Sequence, residues 1–165
     1  MAEPRETVDV DVTVNDTPVE TTVPADTLLS EFLRDHVVLT GTHRGCESGK
    51  CGACTVVLEG EAVKSCNVLA AQVDGKSVTT VEGLADGSSL HPVQQAFWEN
   101  HGMQCGFCTP GFVMATIALL ERNADPTASE VQEALSGNIC RCTGYTKIVE
   151  SVLDAADSLQ DEDDD

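Results

Sequence analysis

Eight cysteines are the residues of this chain whose type and spacing point most directly to chemistry. They form two groups of four, one in each half of the sequence. The first group has the spacing C-x4-C-x2-C and a fourth cysteine after eleven further residues: Cys46, Cys51, Cys54 and Cys66. This is the plant-type spacing for a 2Fe–2S cluster, and glycines between these cysteines would let the backbone approach a cluster closely: Gly45, Gly49 and Gly52.

The second group has the spacing C-x2-C, then 31 residues, then C-x-C: Cys105, Cys108, Cys140 and Cys142. Each pair comes just before a predicted helix, whose positive N-terminal end favours thiolates and an anionic cluster. Two such pairs can hold one cluster between neighbouring helices. Because the cysteines divide into two complete sets of four ligands, the sequence predicts two 2Fe–2S clusters.

Disulfides and zinc are the two alternative uses of eight cysteines. The first ten residues contain neither a basic nor an apolar signal segment, so we expect a cytoplasmic protein, in which disulfides are disfavoured. Two structural zinc ions stay open, since zinc also takes four thiolates, and a zinc protein would be colourless. Zinc sites usually contain two C-x2-C pairs, which the first group lacks.

The first half of the chain has the pattern of an α+β domain. Valines alternate with polar residues from Val8 to Val14, which predicts a half-buried strand. A turn at Asn15-Asp16 and a returning strand over Pro18–Val23 complete a hairpin. A short helix is predicted over Leu28–Leu33, followed by a loop over residues 40–54. Further strands are expected at residues 55–58, 62–65 and 77–81.

The second half predicts helices only. Residues 83–90 are rich in Gly, Ser and Asp and predict a linker. Helices are then expected to begin at four points: Pro92, Thr109-Pro110, Thr127 with its capping-box partner Glu130, and Thr146. The last helix is expected to end near Leu159. The predicted domains are residues 1–83, which bind the first cluster, residues 84–160, which bind the second, and a disordered acidic tail over 161–165.

The net charge of −19 limits the choice of partners. Twenty of the 28 acidic residues lie in residues 1–149, so the acidity is spread over the folded part. We interpret it as adaptation to a salt-rich (halophilic) cytosol, which predicts a fold that is more stable in molar salt. No basic patch would neutralise phosphates, so nucleic acid is not an expected partner. No apolar run approaches the ~20 residues that span a bilayer.

No other residues form a convincing site. The four histidines fit no metal-ligand spacing and are expected at the surface or at caps: His36, His43, His91 and His101. Phe97 and Trp98 are predicted in a core or an interface, and Met103 and Met114 in packing roles. There is no Ser-His-Asp arrangement, phosphate loop or GxGxxG, so no catalytic residue is predicted.

Three motifs around the cysteines carry a family resemblance. GCESGKCGACTV (45–56), QCGFCTPG (104–111) and GNICRCTGY (137–145) resemble the iron–sulfur small subunit of the molybdenum hydroxylases. That family includes xanthine dehydrogenases, aldehyde oxidoreductases and aerobic carbon monoxide dehydrogenases. The resemblance extends from about Val8 to Val152. His43 and Lys50 stand where relatives often have Lys and Gln.

The resemblance implies a β-grasp ferredoxin-like domain followed by an all-α four-helix bundle that binds the second cluster. It implies single-electron transfer from a molybdenum–pterin centre (molybdopterin dinucleotide) on a large partner subunit, through the two clusters, to FAD on a medium subunit. Gln104 and Cys142 would contact the pterin. The complex would be a heterotrimer that can dimerise, with carbon monoxide or aldehydes as preferred substrates. A free-standing two-cluster carrier or redox sensor is the alternative.

Overall fold

A mixed five-stranded sheet forms the first half of the molecule. The computed structural model describes residues 6–163. The strands are β1 (Thr7–Val14), β2 (Thr17–Pro24), β3 (Thr55–Leu58), β4 (Glu61–Lys64) and β5 (Ser77–Thr79). Their order in the sheet is β2-β1-β5-β3-β4, with β1 and β5 parallel and the other neighbours antiparallel. This sheet and the helices described below are consistent with the predicted ferredoxin-like and helical domains.

The first hairpin follows from the alternation of valines along β1. Val10, Val12 and Val14 are buried, because successive side chains of a strand point to opposite faces of the sheet. Asn15 and Asp16 connect β1 to β2 with φ values of 48° and 60°. Positive φ at both central residues is typical of the tight turns that match the twist of a hairpin. The predicted strand and turn are therefore confirmed.

The helix predicted over Leu28–Leu33 is shorter and less regular than expected. A helix α1 covers Leu29–Glu31 and continues as a wider π-helical turn over Phe32–His36. The Val37 N–H donates to the carbonyl oxygen of Phe32 at 3.0 Å, which closes this wider turn. The turn still buries Phe32 and Leu33 in the sheet core, so packing overrides the regular helical hydrogen bonds.

Two predicted strands also differ at their ends. β4 ends at Lys64 because Ser65–Asn67 forms a 3-10 turn, which contains Cys66. β5 ends at Thr79 because the Thr80 N–H donates to the side chain of Asn15 at 2.8 Å instead of continuing the strand. Local patterns of apolar residues reveal neither the 3-10 turn after β4 nor the side-chain contact after β5.

Helices form the second half of the described chain. They are α2 (Pro92–Glu99), α3 (Thr109–Arg122), α4 (Ala128–Ala134), which continues as a 3-10 turn over Leu135–Gly137, and α5 (Thr146–Asp163). Pro92 stands in the first turn of α2, as predicted. Thr127 and Glu130 form the predicted capping box of α4, with each side chain bonded to the other residue's N–H.

The last helix is longer than the sequence predicted. α5 continues to Asp163 rather than ending near Leu159, so the tail predicted as disordered from Asp161 is helical over 161–163. The side chain of Gln160 donates to the carbonyl oxygen of Ala124 at 2.9 Å and fixes this end of the helix. Helix propagation beyond a fixed turn costs little, which explains the extension. Residues 164–165 lie outside the described residues.

Two apolar cores lie on either side of β3. The first lies under the sheet and includes Val56 together with Phe32 and Leu33. The second lies between the helices and includes Val57 together with Phe112. Neighbouring residues of one strand point in opposite directions, so β3 is packed by the sheet core on one face and by α3 on the other.

Candidate metal centres

The first cysteine group converges from a loop and a neighbouring turn. Cys46, Cys51 and Cys54 lie in the loop before β3, and Cys66 lies in the 3-10 turn after β4. The N–H and the hydroxyl of Ser65 both donate to the carbonyl oxygen of Cys54, at 3.2 and 2.7 Å. These two bonds bring Cys66 beside the loop. Cys54 and Cys66 are buried, whereas Cys46 and Cys51 are half-buried.

The four sulfurs of this group are arranged as two pairs. The Cys51 N–H donates to the Cys46 sulfur at 3.3 Å, and the Cys51 thiol helps to lower the pKa of Cys46. Burial and the neighbouring Cys54 thiol raise the pKa of Cys66, which also lies close enough to Cys46 to be affected by its charge. The side chain and the N–H of Ser48 hydrogen-bond to the Cys46 sulfur and lower its pKa to about 6. A low pKa suits a metal ligand, since the thiolate is the form that binds.

The second cysteine group converges from the segments that precede two helices. Cys108 is the N-cap residue of α3, and Cys140 and Cys142 lie in the loop before α5, as predicted. The Cys142 and Cys105 sulfurs are 3.4 Å apart, and the Cys140 thiol lies close enough to Cys108 to raise its pKa. This group is therefore also two pairs. The N–H and hydroxyl of Thr143 contact the Cys140 sulfur at 3.4 and 3.1 Å.

Exposure differs within the second group. Cys105 and Cys142 are exposed, whereas Cys140 is buried. Burial raises the pKa of the Cys108 thiol to about 12, and the neighbouring Cys140 contributes to the rise. The N–H of Phe107 hydrogen-bonds to the Cys105 sulfur and, together with Cys142, lowers the pKa of Cys105. One edge of this site therefore faces outward while the other is closed by protein.

The paired arrangement fits a two-iron cluster better than zinc. A 2Fe–2S cluster needs two thiolates on each of two irons, whereas zinc needs four around one centre. All eight cysteines are free, and the 3.4 Å between Cys105 and Cys142 exceeds the ~2.05 Å of a disulfide.

The two ligand loops touch through their backbones. The Ile139 N–H donates to the carbonyl oxygen of Cys51 at 2.9 Å. The buried side chain of Asn138 donates to the carbonyl oxygen of Gly52 at 3.0 Å and contacts Thr55. Gly52 has a φ of +72°, and a Cβ added there would lie 2.6 Å from the carbonyl oxygen of Gly137. A glycine is therefore required where the two sites meet.

Sequence reasoning did not identify several residues at these sites. Asn138 and Thr143 were visible only as members of a cysteine motif. Tyr145 accepts a hydrogen bond from the Cys140 N–H through its hydroxyl at 3.1 Å. His43, predicted as a surface or capping residue, also contacts Phe107, which lies between two cysteines of the second group. These contacts join residues distant in sequence or depend on an irregular backbone, so local patterns do not show them.

The other predicted residues have mixed outcomes. Gln104 is exposed and directly precedes Cys105, whose sulfur adjoins that of Cys142, so the two predicted pterin contacts lie at one exposed edge. His91 caps α2, with its ring nitrogen accepting from the Val93 N–H. Phe97 is buried, whereas Trp98 is 66% exposed.

Met114 is buried in the helical core, consistent with the predicted packing role.

No helix within the described residues is both long and apolar enough to cross a membrane.

Both halves of the chain match known iron–sulfur domains. Residues 12–85 match a family described as a 2Fe-2S iron-sulfur cluster binding domain. Residues 80–153 match a second family described as a 2Fe-2S binding domain. Together with the paired cysteines, these matches define a protein with two iron–sulfur domains in sequence.

Individual relatives narrow the class further. The small subunit of nicotine 6-hydroxylase from Paenarthrobacter nicotinovorans is 55% identical over 152 residues, which cover 92% of each chain. The xanthine dehydrogenase iron-sulfur-binding subunit of Escherichia coli O157:H7 is 46% identical over 151 residues, covering 90% of this chain and 94% of that subunit. A crystal structure of quinoline 2-oxidoreductase from Pseudomonas putida 86 superposes with a TM-score of 0.90, at 39% identity, over 94% of this chain and 97% of that one.

The chain belongs to the iron–sulfur small subunits of the molybdenum hydroxylases, as the three cysteine motifs predicted. It is an electron-transfer subunit of this type of dehydrogenase, and catalysis in its relatives takes place on partner chains.

Proposed function

We propose that this chain carries single electrons from a molybdenum–pterin centre on a large partner subunit, through two 2Fe–2S clusters, to FAD on a medium subunit. The observation that carries the proposal is the arrangement of each cysteine group as two sulfur pairs, with the two ligand loops in backbone contact. A 2Fe–2S cluster supplies one-electron redox chemistry when it is bound. The residues proposed to hold the first are Cys46, Cys51, Cys54 and Cys66, and those proposed to hold the second are Cys105, Cys108, Cys140 and Cys142.

The exposure of the second site supports the proposed direction of transfer. Cys105 and Cys142 are exposed, and the adjoining Gln104 is exposed as well. An edge of this kind allows a partner's pterin to approach the ligands directly. We therefore propose Gln104 and Cys142 as the contacts with a molybdopterin dinucleotide. Electrons would leave through the first site, where Cys46 and Cys51 are half-buried rather than enclosed.

The backbone contact between the loops supports transfer from one site to the other. The bond from the Ile139 N–H to the Cys51 carbonyl joins the residue before Cys140 to a proposed ligand of the first cluster. Asn138 holds the neighbouring peptide in place through Gly52. These contacts hold the two sites at a fixed separation, which favours electron transfer between them.

The finer domain organisation belongs to the same proposal. We propose a β-grasp domain over residues 1–83, a four-helix bundle over residues 84–160 and a short acidic tail after it. The separate sheet and helical cores support two domains. The complex would be a heterotrimer that can dimerise. A location in the cytoplasm would keep the thiols reduced for cluster insertion.

The names of relatives bear on the substrate of the complex. The sequence favoured carbon monoxide or an aldehyde, but a relative that is 55% identical is named for nicotine, and one that is 49% identical is named for caffeine. We therefore propose an aromatic nitrogen heterocycle as the substrate class. Its recognition would lie on the large subunit. Turnover of the purified complex with nicotine, xanthine, aldehydes and carbon monoxide would test this.

The decisive experiment purifies the full chain with its partners from the native host and removes one thiol. Cys105→Ser should leave the partners bound and the molybdenum in place but abolish substrate-driven reduction of the flavin. Thr109→Ser is the matched control, since it changes a residue in the same turn without removing a thiol. Full flavin reduction in Cys105→Ser would refute the proposal. Two clusters on a solitary chain without molybdenum would favour a free-standing carrier.

A further inference from the structure

A histidine from the first domain contacts the cysteine loop of the second. The Nδ1 atom of His43 lies 2.7 Å from the carbonyl oxygen of Phe107. Because a carbonyl oxygen can only accept, Nδ1 carries the hydrogen and donates it. The two rings are also stacked, with centroids 5.0 Å apart and planes inclined by 21°. His43 therefore holds Phe107 by both its backbone and its side chain.

Phe107 stands at the centre of the second site. It lies between Cys105 and Cys108, and its own N–H bonds to the Cys105 sulfur. Its carbonyl belongs to the same peptide group as the backbone N–H of Cys108, a proposed ligand. A hydrogen bond accepted by a carbonyl polarises the peptide and strengthens the N–H on its other side. The bond from His43 thus acts on the peptide group that carries the N–H of a proposed ligand, Cys108.

The same contact closes the gap between the two cysteine loops. A Cβ added at Gly45 would lie 3.2 Å from the Phe107 ring and 3.0 Å from the Cys51 sulfur. The Phe107 ring therefore covers the start of the first loop, while its backbone is part of the second loop. Although Phe107 is 49% exposed, its ring is contacted on one side by His43 and lies close to Gly45.

We propose that His43 is a positioning residue that joins the two domains at Phe107 and raises the reduction potential of the second cluster. This inference rests on the proposed function, because it takes both clusters as bound. Hydrogen bonds to cluster sulfurs tune the potential, and stronger N–H donation favours the more negative, reduced form. The first cluster, whose ligands receive no bond from His43, keeps its potential.

Three variants of the full chain separate the hydrogen bond from the stacked ring. His43→Phe keeps an aromatic ring over Phe107 but removes the donor. His43→Asn keeps an N–H donor at the position of Nδ1 but removes the ring. His36→Phe is the matched control, because His36 also stacks on a phenylalanine, Phe32, at 6.1 Å and lies outside both cysteine loops.

The measurement is a redox titration of both clusters, followed by electron paramagnetic resonance. In His43→Phe we expect the midpoint of the second cluster to become more negative by roughly 30 mV, which corresponds to a ~3-fold change in its oxidised-to-reduced ratio for one electron. The first cluster should not shift. His43→Asn should restore most of the midpoint, and His36→Phe should leave both unchanged.

Two results would overturn the inference, and they differ from each other. If His43→Phe carries both clusters with unchanged midpoints, His43 does not tune the second site, although the proposed function stands. If the unaltered chain binds no 2Fe–2S cluster, the proposed function fails together with this inference. Loss of the second cluster alone in His43→Phe, restored in His43→Asn, would support the same role through binding rather than potential.

Discussion

The two cysteine sites reach similar ligand sets by different structural means. The first wraps one glycine-containing loop around its cysteines and closes it with Cys66, so two of its four cysteines are buried. The second takes two cysteines from the segment before each of two helices and leaves Cys105 and Cys142 exposed. The comparison teaches that the loop encloses its ligands while the helix ends present theirs. Buried ligands suit a cluster that passes electrons on within the protein, and exposed ligands suit a cluster that contacts a partner.

The largest effect is expected from a substitution that disrupts the contact between the two ligand loops, because it would affect both sites. Gly52→Ala places a Cβ at a left-handed φ and against the Gly137 carbonyl, so we expect a loss of about 3 kcal/mol of stability. Urea denaturation followed by circular dichroism would measure it. Gly60→Ala is the control, because Gly60 also has a positive φ (+81°) but nothing within 4 Å of an added Cβ.

The control fixes the contribution of backbone conformation alone. Gly60→Ala should cost about 1 kcal/mol, the penalty for a left-handed alanine. Equal losses for the two variants would show that the close approach at Gly52 contributes nothing. Iron analysis of Gly52→Ala should also show depletion at both sites, since the peptide that moves adjoins Cys51 and faces the segment before Cys140.

A smaller effect is expected from the side chain that joins the sites. Asn138→Ala removes buried hydrogen bonds to Gly52 and Thr55 and should cost about 1.5 kcal/mol. The loss is limited because the Gly52 carbonyl still accepts from the N–H and hydroxyl of Thr55, at 3.1 and 2.7 Å. Urea denaturation would measure it, with Asn123→Ala as a control outside the contact. A cost no greater than that of the control would contradict the role assigned to Asn138.

The smallest expected effect comes from a variant that destabilises the helical half alone and so tests whether the two sites are independent. Thr127→Ala removes the N-cap of α4 and should cost about 1 kcal/mol, measured by thermal denaturation, without changing the first cluster's spectrum. Hydrogen bonds from the Thr127 hydroxyl and N–H lower the pKa of Glu130. The capping box is therefore stabilising above the unfolded pKa of this carboxyl and loses that contribution as pH falls through the lower folded value.

The variant should accordingly differ less from the unaltered chain in acid than at neutral pH. A difference in melting temperature that stays constant from pH 7 down to pH 3 would contradict the assigned bonds. Loss of the first cluster in Thr127→Ala would show that the two sites are less independent than their separate cores indicate.

Local regularities explain which parts of this fold could be predicted. The period-two valines of β1, the first-turn proline of α2 and the capping box of α4 each depend on residues a few positions apart. The grouping of the cysteines followed from their spacing, and the structure pairs their sulfurs within each group. Their assignment as cluster ligands stays a prediction.

Contacts between distant residues explain what could not be predicted. Asn138 meets a peptide 86 residues earlier in the chain, and His43 meets one 64 residues later. The π-helical turn at Phe32–His36 and the end of α5 depend on packing and on the bond from Gln160 to Ala124. No periodic pattern encodes such pairings, since each depends on how the finished sheet and helices pack together.

The position of β3 between the two cores bears on modularity. Val56 and Val57 are adjacent, yet one is covered by the sheet domain and the other by the helices. A ferredoxin-like fragment cut away from the helices would expose Val57 and the strand face around it to water, which invites aggregation. Neither domain can therefore be expressed alone or moved to another protein without changing its surface. An engineer who wanted the first unit alone would have to redesign the outer face of β3 with polar residues.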